Sequence, residues 1–281
     1  MTGHPRATEP PERKTPAGPG RVAAGVRRAA RRTLTAAGVP VLLVLVWWIH
    51  STVSASFYVP GPDRVARAFA ETWFSSRLVD DALPSVVRLL AGYALATLAG
   101  VGLGVAIGLS PRLRAAAEPV LEFFRAIPPP VLVPLIMLLA GIDDGMKVLV
   151  IASGCVWPIL LNTVEGVRAL DEVLSDTCRM YGVRGASRLR HLVLRGAGPQ
   201  IMAGLRQALS VGIILMVISE MFASSSGLGF TIVLFQRGFA IPEMWSGILL
   251  LGLLGYTLAV LFRRLERRVL YWYYGRGGDR A

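Results

Sequence analysis

The sequence predicts an all-α, polytopic membrane protein of about six transmembrane helices. Two observations carry this expectation. Of 281 residues, 53% are hydrophobic and 17% charged, against about 45–50% and about 25% in soluble domains. The apolar residues are gathered into long runs separated by arginine-rich stretches, as a hydrocarbon layer requires of spanning helices and their connections. The net charge of +12 does not point to nucleic acid, because the basic residues flank apolar runs and build no continuous polar face. Arginine carries almost all of it: the lysines are Lys14 and Lys147. That bias suggests a high-G+C bacterial genome.

Residues 1–33 are rich in Pro, Gly, Ala and Arg and poor in large apolar side chains. They are expected to be a disordered, basic, cytoplasmic leader. A membrane domain is expected over 34–264 and an interfacial cytoplasmic tail over 265–281. The first apolar run, about Leu34–Val53, is long enough to cross a core of about 30 Å. A cleavable signal peptide ending at Val53-Ser54-Ala55 is the competing reading. The long basic leader and the spans that follow favour a retained helix.

The second span, about Pro84–Leu109, places Gly100, Gly104 and Gly108 four residues apart, a spacing that lets helices approach closely in lipid. The third, about Glu118–Gly141, contains Ile127-Pro128-Pro129-Pro130 and Pro134. Prolines remove backbone donors, and such a break is tolerated at membrane depth where it is buried in protein or lines a watery path. Glu122 and Arg125 share a helix face just before the break. An arginine at mid-membrane costs about 3 kcal/mol, so Arg125 should pair with Glu122, reach a boundary or face a polar cavity.

The fourth span, about Met146–Thr163, is expected to be interrupted at Pro158. A polar segment, Glu165–Arg195, then carries six arginines at positions 168, 179, 184, 188, 190 and 195. The fifth span is about Ile201–Phe222, followed by a loop, Ser224-Ser225-Ser226-Gly227-Leu228-Gly229. The sixth is about Trp245–Phe262. The chain then runs through Arg263-Arg264-Leu265-Glu266-Arg267-Arg268 to the aromatic group Tyr271-Trp272-Tyr273-Tyr274, the composition of an interfacial anchor. The leader, a Pro111–Ala117 loop, the Glu165–Arg195 segment and the tail are the basic connections. They alternate, so the positive-inside rule places both termini in the cytoplasm of a bacterial inner membrane.

No phosphate loop, nucleophile elbow or His-Glu-x-x-His motif is present in the sequence. Cys155 and Cys178, and His4, His50 and His191, match no disulfide or metal-binding spacing. Catalysis, a metal and a cofactor in this chain are therefore not expected. Polar or helix-breaking residues at membrane depth nominate Arg125, Pro128, Asn162, Glu220 and Ser224 as lining a translocation path.

The polar segment holds the most specific pattern: Ser175-Asp176-Thr177-Cys178-Arg179-Met180-Tyr181-Gly182-Val183-Arg184-Gly185-Ala186-Ser187, then Leu192-Val193-Leu194. It resembles the EAA loop of bacterial ABC-importer permeases, which reads Glu-Ala-Ala, three residues, Gly, nine residues, Ile-x-Leu-Pro. Gly182 takes the motif glycine, and Leu192 and Leu194 take the Ile and Leu. Asp176-Thr177-Cys178 replaces Glu-Ala-Ala, and Arg195 stands where proline is expected. Tyr58-Val59-Pro60-Gly61-Pro62, Arg125-Ala126-Ile127-Pro128, Gly141 to Lys147 and Ser226-Gly227-Leu228-Gly229 resemble, in order and spacing, the nitrate, sulfonate and taurine importer permeases. The likeness runs over about 58–266.

The resemblance implies a type I importer permease fold and a translocation path for a small, anionic solute such as a sulfonate, nitrate or taurine. It implies a coupling loop built from Asp176, Gly182, Val183, Gly185, Ala186, Leu192 and Leu194. It implies as partners two cytoplasmic ATPase subunits holding the ATP, an extracytoplasmic solute-binding protein and a second permease copy, in a lipid membrane. An importer of thiamine or riboflavin precursors, a secondary transporter and a non-transporting scaffold are the alternatives. A secondary transporter would show inverted repeats and several intramembrane carboxylates, and no clear repeat is seen.

Overall fold

The computed structural model describes residues 38–54, 56–222 and 224–274, and among them every regular element is helical. The expected leader, 1–33, lies outside the described residues. The chain divides into two compact units, Met1–Pro62 and Asp63–Ala281. In the first, α1 is described over Gly38–Ser54 and is apolar. Those 17 residues are about 26 Å long.

The second unit is a helix bundle. After α2 (Pro62–Trp73) and a π turn (Leu78–Ala82), α3 runs Leu83–Leu109. Then come α4 (Pro111–Arg125), a 3₁₀ turn (Pro129–Val131), α5 (Leu132–Ala140) and α6 (Asp144–Arg168). The polar segment folds into α7 (Glu172–Met180), α8 (Gly185–Arg188), a π turn (Leu189–Val193) and α9 (Leu194–Gly196). The last elements are α10 (Gly198–Phe222), α11 (Leu228–Arg237), α12 (Ile241–Val269) and α13 (Tyr271–Tyr274). Among the described residues, four helices are long and apolar enough to cross a membrane: Leu78–Leu109, α6, α10 and α12. The pair Pro111–Arg125 and Pro129–Ala140 qualifies as a fifth span bent by 76°. α1 is apolar but shorter over its 17 described residues, so the described residues hold four or five such spans, against about six expected.

Two sequence expectations change. The Pro111–Ala117 loop is the first half of α4. Ser110 caps that helix, its hydroxyl accepting from the Leu113 N–H at 3.3 Å, and Pro111 sits at the first helical position, where its missing N–H costs nothing. Pro158 does not interrupt the fourth span, since α6 continues through it to Arg168. The third span is broken near its middle, where the sequence places the break: Pro128, Pro129 and Pro130 offer no N–H in succession, and α4 ends at Arg125.

The centre of the bundle is α6, packed between α3 and α10. One stripe of α3 carries Gly92, Ala96, Gly100, Gly104 and Gly108, every fourth residue and all buried. It faces Ile151, Ile159, Thr163 and Val167 of α6 at backbone contact: a Cβ built on Gly104 would lie 2.6 Å from the Thr163 Cβ. Lipid offers no hydrophobic drive between helices, so this close packing is what holds the pair together. The main core gathers Leu89, Val150, Ile151, Cys155, Leu215 and Met216. A second cluster, Val105, Val167, Val193, Ala197 and Ile201, ties the polar segment to the ends of α3, α6 and α10.

Candidate functional site

Three sites follow from this framework. The first is the polar segment α7–α9. Asp171 caps α7, its carboxylate accepting from the Val173 N–H at 2.7 Å. The helix stops at Tyr181, and Gly182 takes φ +69°. The Gly182 N–H donates to Arg179 O at 3.2 Å and the Val183 N–H to Cys178 O at 2.8 Å. This pair of bonds is the Schellman ending, which requires a left-handed residue at that position. Gly185 is left-handed too, at φ +56°, so the chain turns twice within four residues before α8. No residue of α7 is buried, and Val173, Leu174, Met180 and Tyr181 stand exposed. Asp176 pairs only with Arg179, 3.2 Å away on the same helix. Ala186 is exposed beside Gly185, Leu192 is buried, and Leu194 is exposed one residue beyond the buried Val193. The loop is thus an anchored platform whose amphipathic helix α7 is tied back by the Arg188–Ser175 hydrogen bond at 3.0 Å and keeps its apolar side chains exposed.

The second site is a cavity of about 400 Å³ lined by Arg125, Ile127, Pro129, Trp157, Asn162 and Gln207, among others. It opens where the proline break separates α4 from α5 and faces α6 and α10. Arg125 keeps its pair with Glu122 at 2.7 Å, both side chains more than half exposed. One Asn162 N–H donates to Pro158 O at 2.8 Å, which leaves its carbonyl available. Phe124 stacks on Trp157 with ring centroids 5.6 Å apart and planes 9° apart, bracing α4 against α6 beside the cavity. The structure therefore brings together Arg125 and Asn162 of the five nominated residues. Pro128 is exposed at the start of the 3₁₀ turn, next to the lining residues Ile127 and Pro129. Gln207 and Trp157 were not read from the sequence; a lone amide and a lone indole in apolar runs were the available signal.

Glu220 and Ser224 lie elsewhere, in the third site, an ion cluster at the opposite end of the bundle from α7–α9. Glu220 is fully buried and ion-paired to Arg88 at 2.9 Å. It accepts from Ser85 Oγ at 2.7 Å and from the Gly229 N–H at 2.9 Å. Arg88 also pairs with Asp144 at 2.8 Å and donates to Ser226, to the carbonyl and to the hydroxyl, each at 3.1 Å. Asp144 in turn pairs with the buried Lys147 at 3.0 Å. Ser224 donates to the Ser226 carbonyl. Two segments singled out in the sequence, Gly141–Lys147 and Ser226–Gly229, thus meet through Arg88, which the sequence reading passed over. A charged residue in each of two apolar runs was the signal, since intramembrane charges are expected to find one another.

No group of three or more His, Cys, Asp or Glu able to hold a metal ion occurs among the described residues.

Residues 96–271 match the family described as binding-protein-dependent transport system inner membrane component. The taurine transport system permease protein TauC of Escherichia coli (strain K12) is 28% identical over 251 residues, covering 87% of this chain and 91% of that protein. A protein of the same strain named for aliphatic sulfonates transport, SsuC, is 31% identical over 235 residues, covering 83% and 89%. Among solved structures, the MetNI methionine ABC transporter superposes with a TM-score of 0.57 at 19% identity, over 68% of this chain and 95% of that one, a likeness of fold. The matched residues take in α4 to α12, and so the α7–α9 segment and the cavity at the α4–α5 break, while Ser85 and Arg88 of the ion cluster precede them; the chain belongs to the binding-protein-dependent transport system inner membrane components.

Proposed function

We propose that this permease carries a small sulfonate-like anion across the bacterial inner membrane through the cavity at the α4–α5 break. The observation that carries the reading is the lining of that cavity. It combines one guanidinium from the proline-broken span with two primary amides and one indole from α6 and α10. Arginine presents a planar fork of donors that suits a tetrahedral oxyanion, and amide N–H groups extend that donor set. Pro128 positions the turn, and Arg125, Asn162 and Gln207 make the contacts. The relatives' names support the charge class, since taurine and aliphatic sulfonates both bear a sulfonate group.

In this reading both termini are cytoplasmic and α7–α9 is the coupling loop, with Asp176, Gly182, Val183, Gly185, Ala186, Leu192 and Leu194 as its working residues. Its exposed Val173, Leu174, Met180 and Tyr181 dock in an ATPase subunit, which binds and hydrolyses the ATP. Two permease copies pair in the membrane, and a solute-binding protein delivers the anion on the other side. Glu220 and Ser224 serve the path indirectly, by holding its extracytoplasmic end together.

The test is uptake by the reconstituted permease, ATPase and binding protein. Replacing Arg125 with Gln should lower sulfonate uptake by about tenfold or more while ATPase association persists, and Arg125→Lys should fall between, because a point charge lacks the fork. Unchanged uptake by Arg125→Gln would remove the cavity from the path.

A further inference from the structure

A second cavity, of about 600 Å³, lies between the polar segment and the end of the chain's last long helix. Arg190, His191 and Arg195 line one side; Leu270, Tyr271 and Trp272 line the other. We propose that this cavity binds the phosphate headgroup of an anionic membrane lipid.

Charge supports the assignment. Arg168 and Arg179 in the same segment pair with Glu165 and Asp176 at 2.7 and 3.2 Å. Arg190 and Arg195 are exposed and have no ion-pair partner among the described residues. His191 adds an imidazole whose Nδ1 lies 3.0 Å from the Ser187 carbonyl. A carbonyl only accepts, so Nδ1 carries the hydrogen and the other ring nitrogen is left free of this bond. Three basic groups thus line one cavity with no carboxylate among its lining residues.

Depth selects the occupant. The 29 residues of α12 make a rod about 44 Å long, against about 30 Å for the hydrocarbon core and about 40–45 Å for the bilayer with its headgroups. Its end, and the Leu270–Trp272 segment that follows, therefore sit at headgroup level. Tyr and Trp are the residues enriched at that level. The ends of α3, α6 and α10 converge there through Val105, Val167, Val193, Ala197 and Ile201. A headgroup phosphate would meet the arginines while its acyl chains pass the apolar wall of Leu170, Leu192, Leu194 and Leu270.

The experiment uses the full-length permease purified with its ATPase subunit and delipidated in detergent. Binding of phosphatidylglycerol, phosphatidylcholine and inorganic phosphate is measured by native mass spectrometry and by competition. Phosphatidylglycerol should bind preferentially. The pair Arg190→Gln with Arg195→Gln should weaken it about thirtyfold, and each single change about fivefold, as expected for arginines at a membrane surface. The pair Arg263→Gln with Arg268→Gln removes equal charge from α12 outside the cavity and should have little effect. Both replaced arginines are exposed, and an unchanged melting temperature shows that the fold survives. Equal binding by wild type and the Arg190/Arg195 pair would overturn the proposal. So would equal loss in the Arg263/Arg268 pair, or displacement of the lipid by millimolar inorganic phosphate. None of these readouts depends on solute uptake, so they stand apart from the Arg125 test.

Discussion

Arg88 of α3 and Glu220 of α10, 132 positions apart, form a buried ion pair 2.9 Å long at one end of the bundle. The two residues are not equivalent. Arg88 has a second carboxylate, Asp144, at 2.8 Å, whereas Glu220 has Arg88 as its ion-pair partner. Breaking a buried pair by removing one partner costs about 3–5 kcal/mol, because the other charge is left uncompensated. Arg88→Gln should therefore cost the full amount, seen as a lowered melting temperature in detergent and reduced accumulation in the membrane. Glu220→Gln should cost less, since Arg88 keeps Asp144 and the amide can still accept from the Gly229 N–H. Equal losses in the two variants would refute this asymmetry.

The α3 stripe gives a packing prediction. A methyl group on Gly104 would collide with Thr163, and the backbone oxygen of Leu160 lies 3.0 Å from the same point. Gly102, two residues away, has nothing within 4 Å of an added Cβ. Gly104→Ala should shift α3 from α6 and destabilise the protein by about 1–3 kcal/mol, the usual cost of overpacking. Gly102→Ala should be neutral or slightly stabilising, through better helix propensity. Thermal unfolding of the two purified variants decides it.

Much of this fold is written in local patterns, and what is not written locally was missed. The apolar runs mark α3, α6, α10 and α12 because a span must satisfy its own backbone and be apolar over about 20 residues. Gly182 is legible because a Schellman ending is a short-range device. Arg88 was passed over because its partners, Asp144 and Glu220, lie on other helices and no local rule joins them. Glu220 drew notice as a polar residue at depth, yet burial against Arg88 and Ser85 seats it away from the cavity that Arg125 and Asn162 line. The start of α4 reads as a loop because its arginines outweigh a helix-start signal, Ser110-Pro111. Pro158 looked like a break because the tolerance of α6 for it depends on neighbouring helices.

Orientation can be tested by labelling. With both termini cytoplasmic, a cysteine replacing Ser175 on α7 should react only with reagents that enter the cell. One replacing Ser76, between α2 and α3, should react with impermeant reagents added outside. Cys178, half-exposed on the same helix as Ser175, is first replaced with Ser, whereas Cys155 is buried and can stay. The reverse pattern would invert the topology and place α7–α9 out of reach of an ATPase.

The last prediction concerns coupling through Gly182. Its φ of +69° is the left-handed conformation, and no atom lies within 4 Å of an added Cβ. A substitution there is thus strained by backbone alone, by about 1–2 kcal/mol for an ordinary L residue. Asparagine tolerates this conformation better than β-branched residues do. Gly182→Val should therefore deform the end of α7 and lower both ATPase association and uptake, while Gly182→Asn retains most of each. Gly185 cannot serve as the unaffected neighbour, since its own φ is +56° and Gly185→Val should be strained as well. Ala186→Val is the better control, because Ala186 is exposed, lies in α8 and has no positive φ. Membrane abundance should be unchanged throughout, since the loop tip carries none of the buried core. Full ATPase binding by Gly182→Val, or equal loss in Gly182→Asn and Gly182→Val, would show that the left-handed turn is not what presents α7 to the ATPase.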